Sequence, residues 1–373
     1  MIIQAFNNCS SNAKVVFDNT TYHIDSVMNI TGLSNVEVDL QGTLLWSTDI
    51  DYWLNHSMPV GYQNQSTAFI FGGDNIYFHG NGYGTFDGNG QTWYDFIGNA
   101  SNYPLRPHQI TWNGLTNSVI EGVRFVQSQM WTMTLIHSEN VLLQDIYVNS
   151  TNLKGGPDQN TDGADTIYAN NITFVRWSVT NGDDSISQKA NSTNILAEDC
   201  SFFNGGSMAM GSIGQYAGRY ETIINVTARN VYCYHTSYAG YAKTWTGITQ
   251  GYPPNGGGGG TGLMKNITFQ SFTLVDVDEV FSITQCNSYA GFTGGCDTST
   301  FQIENFTVDD ITGTLKTNDV ASLQCSGAAP CFRIDISDVH VTVNHTGVPA
   351  TGYLCSNVTD PIGFTCTGLT KQT

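Results

Sequence analysis

A short stretch recurs along this chain: an Asn followed by alternating apolar and polar residues. Examples are Asn35-Val36-Glu37-Val38 and Asn171-Ile172-Thr173-Phe174. Most neighbouring copies are 23 to 41 residues apart, and they begin at Asn35, Asn75, Asn140, Asn171, Asn194, Asn225, Asn266 and Asn305. Strands this short cannot bury a face alone, but they can do so when they stack in register in successive coils. The repeat therefore predicts an all-β fold, a right-handed parallel β-helix with Asn residues at its corners.

The length of the chain suits one solenoid. A repetitive coil of 373 residues can form a single domain, and no linker divides this one, so we predict one catalytic β-helix over residues 1–373. Residues 1–6 lack the basic start and the cleavage site of a secretion leader. We interpret Met1 as an artificial start inside a longer protein whose leader and N-terminal cap are missing. No apolar run reaches membrane-spanning length.

Net charge and glycosylation signals indicate where the protein is located and which partners it can bind. Acidic residues outnumber basic ones by 31 to 13, which gives a net charge of −18 and a pI near 4.5. This charge predicts that the chain binds neither nucleic acid nor an anionic membrane. Fourteen Asn-x-Ser/Thr sequons favour a secreted protein with N-linked glycans over a chance result of an Asn-rich composition. We expect a monomer, because a β-helix with capped ends has no need to associate.

Cysteine usage also favours an oxidising compartment. Three of the possible pairs would close short local loops: Cys286 with Cys296, Cys325 with Cys331, and Cys355 with Cys366. Cys200 and Cys233 are 33 residues apart, and we predict that they bridge neighbouring coils, which leaves Cys9 without a partner. No cysteine spacing is typical of a zinc site, and we predict neither a metal nor a cofactor.

Three Asp residues near the middle of the chain indicate its chemistry. Asp162 lies 21 residues before Asp183, which is followed directly by Asp184. In coils of about 20 to 30 residues, this spacing brings the three carboxylates together on one face. Crowded carboxylates are costly unless they bind a metal or perform acid–base chemistry, as at a glycosidic bond. A simple turn at Asp183-Asp184 would leave Asp162 unexplained.

The sequence blocks around these residues resemble glycoside hydrolase family 28, the polygalacturonases and rhamnogalacturonases that cut pectin. The blocks are Asn160-Thr161-Asp162-Gly163, Gly182-Asp183-Asp184, and GSIGQY from Gly211 to Tyr216, the last of which most resembles the fungal exo-acting branch. The resemblance extends over essentially the whole chain. It implies hydrolysis with inversion, in which Asp183 is the general acid and Asp162 and Asp184 activate water.

Two positions depart from the polygalacturonase pattern. Gly206 stands where those enzymes carry a His, and Tyr241-Ala242-Lys243 stands where they carry Arg-x-Lys. In the family these cations hold galacturonate carboxylates, so the loss of the Arg removes a bidentate partner. We therefore predict a subsite for a neutral deoxysugar such as rhamnose. The residues predicted to contact the methyl group of this sugar are Met208, Met210, Tyr216, Tyr241 and Trp245, with a place in the core as an equal alternative for the two Met residues.

Further predicted sugar contacts are Lys243, which would hold a galacturonate in the adjoining subsite, and Asn160, Asp165, Gln285 and Tyr289. Together these features favour an exo-acting α-L-rhamnosidase, a rhamnogalacturonan rhamnohydrolase that releases terminal rhamnose from pectic chains. The nearest alternative is an exo-polygalacturonase in which Lys243 alone binds the carboxylate. A pectate lyase would need calcium and an Arg that the motifs lack. A non-catalytic carbohydrate-binding β-helix is disfavoured by the retention of all three Asp residues.

Overall fold

The structure of the chain, a computed structural model, describes residues 1–289 and 294–370. The chain forms two compact units, Met1–Ser185 and Ile186–Thr373. The prediction of one domain over residues 1–373 stays a prediction. None of the helices in the described ranges is both long and apolar enough to span a membrane.

The first unit consists of short strands with three short helices. The helices are α1 (Ile2–Asn8), α2 (Ile50–His56) and α3 (Gly90–Ile97). The strands are β1 (Ser11–Phe17), β2 (Thr21–Ile24), β3 (Met28–Leu40), β4 (Thr43–Trp46), β5 (Met58–Pro59), β6 (Ser66–Thr67), β7 (Phe69–His79), β8 (Thr85–Asp87), β9 (Pro107–His108), β10 (Ile110–Asn113), β11 (Thr116–Glu121), β12 (Arg124–Val126), β13 (Met133–Ile136), β14 (Glu139–Gln144), β15 (Tyr147–Asn149), β16 (Ala164–Ile167), β17 (Asn170–Val175) and β18 (Ser178–Thr180).

The second unit has longer strands and one 3₁₀ helix, Cys296–Thr298, among its described residues. Its strands are β19 (Ile186–Gln188), β20 (Ser192–Phe203), β21 (Met208–Ile213), β22 (Tyr220–Tyr234), β23 (Tyr238–Trp245), β24 (Thr261–Val277), β25 (Glu279–Asn287), β26 (Thr300–Leu315), β27 (Asp319–Gln324), β28 (Cys331–Ile336), β29 (Val339–Val343), β30 (Gly352–Ser356) and β31 (Val358–Thr359).

In both units, strands of successive coils pair in parallel and in register. In the first unit, β10, β13 and β16 form one stack, β11, β14 and β17 a second, and β12, β15 and β18 a third. In the second unit, β21, β23, β25, β27 and β30 form one stack, and β22, β24 and β26 form another. Stacks of short parallel strands are the architecture of a parallel β-helix, so the predicted fold class is confirmed.

The recurrent Asn residues form ladders at the corners of the coils. In the second unit, the Nδ2 atoms of Asn225, Asn266 and Asn305 each donate to the Oδ1 atom of the corner Asn one coil earlier, over 3.0 to 3.4 Å, and the ladder begins at Asn194. All four have φ between 55° and 59°. Asn adopts this left-handed conformation more readily than most residues do. Its backbone can therefore turn the chain while its side-chain amide bonds to the neighbouring coil. Asn117, Asn140 and Asn171 form a similar ladder in the first unit.

Apolar side chains at alternate strand positions fill the interior of each unit. In the first unit, Trp112 is fully buried, with its ring centroid 5.6 Å from the rings of both Phe71 and Phe78 in edge-to-face contact. Phe86 stacks on Phe125 at 4.8 Å. These contacts join aromatic residues of different coils, which is how a stack of short strands acquires a continuous core.

Three predicted disulfides are present in the described residues, and a fourth prediction is wrong. The bonds join Cys286 to Cys296, Cys325 to Cys331, and Cys355 to Cys366. Cys200 and Cys233 carry thiols instead. In the register of β20 with β22, the partner of Cys200 is Val231, and Cys233 lies two residues further along. That offset separates the two Cα atoms by about 8 Å, beyond the reach of a disulfide.

Alkylation should show the two thiols directly. The Cys233 thiol is fully buried and donates to Ser207 Oγ at 3.4 Å, and burial raises its pKa to about 12. We expect iodoacetamide to leave Cys200 and Cys233 unmodified in the native protein and to modify both after denaturation without a reductant. Peptide mass spectrometry measures this. A peptide that links the two residues after non-reducing digestion would contradict the structure.

Candidate active site

The three predicted catalytic carboxylates meet at the end of the first unit. Asp162 precedes β16, and Asp183 and Asp184 follow β18. One carboxylate oxygen of each residue lies within 4.8 Å of one from each of the others. Asp162 and Asp184 are almost completely buried, at 3% and 1% exposure, whereas Asp183 is half-buried. Of the three, Asp183 therefore has the most accessible side chain.

Backbone hydrogen bonds between coils fix this arrangement. Gly163 N donates to Asp184 O at 3.0 Å, and Ala164 N donates to Ser185 O at 3.2 Å. The residue that stacks on Asp162 is therefore Asp184, 22 positions later, and Asp183 precedes it by one residue. The buried Asn181 side chain adds a clamp, because its Nδ2 atom donates to Thr161 O at 2.9 Å and to Asp184 O at 3.0 Å.

Asp183 is held by N–H donors on both oxygens. Asn160 N donates to Asp183 Oδ2 at 3.1 Å, with Asn160 Nδ2 at 3.5 Å from the same atom, and Asp184 N donates to Oδ1 at 2.9 Å. These donors favour the ionised form, whereas the neighbouring carboxylates favour retention of a proton. Asn160 is buried, and its Oδ1 atom accepts from Asn102 N at 2.6 Å. The structure thus gives Asn160 a part in orienting Asp183.

Arg106 is a residue of this site that the sequence did not reveal. Its side chain is completely buried, Nε donates to Gln129 O, and Nη1 donates to Gln159 O at 2.8 Å. Burial lowers the pKa of Arg106 to about 10, while the charges of Asp162 and Asp183 oppose that shift. A lone Arg between Leu105 and Pro107 carries no motif. The only signal was the rarity of Arg in a chain with 13 cationic residues.

Three predicted sugar contacts are buried too deeply to meet a sugar directly. Asp165, Met208 and Gln285 have no exposed surface. Met208 belongs to the core, the alternative that the sequence left open. The polar atoms of the Gln285 side chain bond to the backbone of two other segments. Nε2 donates to Phe301 O at 2.7 Å, and Oε1 accepts from Ser326 N at 2.8 Å. Trp245 is only 2% exposed.

The accessible candidates of the second unit are aromatic. Tyr216, Tyr241 and Tyr289 are half-buried. Tyr241 lies under the ammonium of Lys243, with Nζ 5.3 Å from the ring centroid, and Lys243 is 7% exposed. Tyr289 packs edge-on against Trp245 at 5.5 Å, and its hydroxyl donates to Ser212 Oγ at 3.0 Å. These residues offer flat apolar faces and one cation to a ligand.

Comparison with known proteins decides the family. The model of glycosyl hydrolases family 28 matches residues 9–366. The chain belongs to this family. It is similar to alpha-L-rhamnosidase rgxB of Aspergillus niger, with 53% identity over 368 residues that cover 98% of this chain and 86% of that protein. It is also similar to an exopolygalacturonase of Cochliobolus carbonum, with 32% identity over 91% of this chain and 77% of that protein.

Solved structures show the same fold. The endo-xylogalacturonan hydrolase of Aspergillus tubingensis superposes with a TM-score of 0.83 at 23% identity, over 99% of this chain and 95% of that one. Endopolygalacturonase I of Stereum purpureum superposes with a TM-score of 0.66 at 18% identity, over 98% and 97% of the two chains. At these identities the likeness concerns the fold. Family membership makes the chain a glycoside hydrolase, as its aspartate blocks predicted.

A family 28 hydrolase needs proton transfer, and the cluster suits that chemistry. Three carboxylates this close can share a proton or bind a cation. The buried guanidinium of Arg106 interacts with Asp162 and Asp183, and it would repel a second positive charge. Acid–base chemistry therefore fits this cluster better than cation binding does.

Glu279, in the second unit, should make the stability of this hydrolase depend on pH. Burial raises the pKa of Glu279 to about 7 from 4.5, with Asp319 and Asp278 adding to the effect. The folded state thus binds this proton more tightly than the unfolded state does. The contribution of the protonated Glu279 to the free energy of unfolding is therefore full below pH 4.5 and is lost as the pH rises through 7. Because Glu279 is half-buried, solvent screens part of this effect. We therefore expect Glu279→Gln to reduce the difference in the free energy of unfolding between low and high pH by about 1 to 2 kcal/mol.

Urea unfolding at pH 4.5 and pH 8 measures the effect. The matched control is Glu304→Gln, since Glu304 pairs with Lys265 at 3.0 Å on the same unit. If Glu279→Gln leaves the difference between the two pH values unchanged, Glu279 does not hold the proton.

Proposed function

We propose that this chain is a secreted, exo-acting, inverting α-L-rhamnosidase that releases terminal rhamnose from pectic oligosaccharides. The observation that carries the proposal is the complete aspartate cluster combined with lost cations, Gly206 in place of His and Tyr241 in place of Arg. A sugar without a carboxylate does not need those cations. The 53% identity to an α-L-rhamnosidase supports the same choice of sugar, and the three disulfides support an oxidising compartment.

The proposed reaction is a single displacement at the anomeric carbon. Asp183 gives its proton to the glycosidic oxygen as the bond from that oxygen to the anomeric carbon breaks. A water held by Asp162 and Asp184 attacks the opposite face, and its proton passes to this carboxylate pair. The accessibility of Asp183 and the burial of the other two fit these roles, because only the acid must reach the leaving group. Proton exchange with solvent restores the starting state.

The aromatic residues of the second unit are the proposed sugar contacts. Tyr241 and Tyr289 present partly exposed rings, which suit the methyl group and apolar face of a deoxysugar. Lys243 is the proposed partner of a galacturonate carboxylate in the neighbouring subsite, since rhamnogalacturonan alternates the two sugars. Asn160 orients Asp183 through its hydrogen bond, the buried Asp165 is proposed to act behind the sugar contacts, and Trp245 packs against Tyr289.

Product analysis tests the proposal. The enzyme is incubated separately with rhamnogalacturonan oligomers that end in rhamnose and with oligogalacturonides, and the released sugars are identified by chromatography. Free rhamnose from the first substrate alone is the expected result. Free galacturonate from the second would replace the proposed function with that of an exo-polygalacturonase. Larger fragments as the first products would contradict exo action.

The exo-polygalacturonase alternative rests on one observation. Lys243 is retained, with 7% of its surface exposed, so one cation of the family pair remains to hold a carboxylate. Lys243→Met separates the two functions. A rhamnosidase should bind a shorter substrate, such as a rhamnosyl aryl glycoside, as before, whereas a galacturonidase should lose affinity for every substrate.

The configuration of the first product is a separate expected outcome. Family membership leads us to expect inversion, so an α-L-rhamnoside should yield β-L-rhamnose before mutarotation. Proton NMR of the anomeric signal in the first minutes measures this. The nearest carboxylate oxygens lie within 4.8 Å, closer than the separation of about 6.5 to 9.5 Å between carboxyl groups usual for inverting enzymes. First release of the α anomer would show a double displacement and give one Asp the role of nucleophile.

A further inference from the structure

Arg106 and Asp183 make hydrogen bonds to the same peptide group. Arg106 Nη1 donates to the carbonyl oxygen of Gln159, at 2.8 Å. The N–H of the next residue, Asn160, belongs to the same peptide unit and donates to Asp183 Oδ2 at 3.1 Å. A cation on the carbonyl side draws electron density from the amide, which makes its N–H a stronger donor, because hydrogen bonds in a chain polarise one another. The peptide therefore links the buried cation to the side chain proposed as the general acid.

We propose that Arg106 is a positioning residue that sets the pH range of catalysis by acting on Asp183 through the Gln159–Asn160 peptide. The inference rests on the proposed role of Asp183 as the general acid, but it does not depend on which sugar is released. It explains why the chain buries a guanidinium completely, a costly placement for a charge.

Charges around the pair act in opposite directions. The ionisable groups that face the guanidinium or Asp183 within the first unit are Tyr94, Asp158, Asp162 and Asp184. Neighbouring carboxylates disfavour the ionisation of Asp183. The positive charge of Arg106 favours the ionisation of Asp183. Its Nη2 atom is buried and has no hydrogen-bond partner among the described residues.

The direction of the expected shift follows from these charges. Without Arg106, Asp183 would keep its proton to higher pH, so the alkaline limb of the kcat/KM profile would move up. The acidic limb, which reports the water-activating pair, would move up as well. For the neutral variant Arg106→Gln we expect a displacement of about one to two pH units. For Arg106→Lys, which keeps the charge but cannot reach both carbonyls with a planar fork, we expect a smaller displacement in the same direction.

The experiment is the pH profile of wild type, Arg106→Lys and Arg106→Gln, measured on whichever substrate the product analysis identifies. Arg176→Gln is the matched control, since it removes the same charge from an exposed site in the first unit, where Arg176 pairs with Asp145. The control should leave both limbs in place. Lower activity at every pH with unmoved limbs in the Arg106 variants would reduce Arg106 to a structural role and overturn the proposal.

A second measurement needs no Arg106 variant to fold. Wild-type protein labelled with ¹⁵N-arginine should show Arg106 guanidinium signals that shift with pH at the midpoint of the alkaline limb. The same signals should not titrate there in Asp183→Asn. If the chemical shifts of the Arg106 signals do not change at this midpoint in wild type, the proposal is overturned. Loss of activity in Asp183→Asn together with an Arg106 that does not respond would leave the proposed function standing while the inference fails.

Discussion

Asp183→Asn should reduce kcat by about 100- to 10,000-fold, with little change in KM, because general acid catalysis contributes a factor of this size. Asn has nearly the same shape as Asp and offers no proton acidic enough for a leaving sugar. One of the two oxygens that accept from Asn160 N and Asp184 N becomes an amide nitrogen, so one hydrogen bond is also lost. We expect that loss to cost about 1 kcal/mol of stability, partly offset by relief of carboxylate repulsion.

Two comparisons isolate the acid role. Asp145→Asn makes the same chemical change at an exposed position in the first unit and should leave kcat unchanged. An aryl glycoside whose phenol leaves without a proton should lose much less activity in Asp183→Asn than the natural substrate does. Equal losses on both substrates would mean that Asp183 does not protonate the leaving group. Unchanged turnover would remove it from the chemistry altogether.

Gly163→Ala is expected to affect both folding and catalysis. A Cβ atom at this position would lie 2.3 Å from Ser185 O, closer than any real contact allows. The coils must then separate where Gly163 N donates to Asp184 O, and Asp162 moves relative to Asp184. A displacement of about 1 Å at reacting groups costs about 100-fold in rate, and overpacking costs about 1 to 3 kcal/mol of stability.

The measurements are kcat and the free energy of unfolding in urea. Gly327→Ala is the control, since its Cβ would meet nothing closer than Asp297 Oδ1 at 3.4 Å. It should change neither quantity. If Gly163→Ala retains normal stability and full activity, the close approach of the two coils is not what sets the carboxylate geometry.

The sequence predicted the features that depend on spacing along the chain. The Asn repeat indicated stacked coils because each corner Asn bonds to its counterpart one coil away. The interval between the Asp blocks indicated convergence, although the residue that stacks on Asp162 is Asp184 and not Asp183. Three short-range disulfides followed from proximity in sequence alone.

Features that depend on register or on burial from two sides could not be predicted. Alternation shows which residues of a strand share a face, but every residue of β21 is buried, so the pattern could not separate core from cleft at Met208. A shift of two residues between coils is invisible in sequence, and it excluded the Cys200–Cys233 bond. Arg106 was missed because its partners are backbone carbonyls, which any residue can supply.

The Asn ladder of the second unit shows that the register between coils does not depend on the number of residues in a coil. Asn194 and Asn225 are 31 residues apart, whereas Asn225 and Asn266 are 41 apart, yet both pairs make the same 3.0 Å bond. The ten additional residues leave the corners unchanged, and the longer interval contains the glycine-rich segment Gly256–Gly260. Evolution can therefore lengthen or replace such a loop without altering the stacked strands. One frame of stacked strands can then carry loops of very different length.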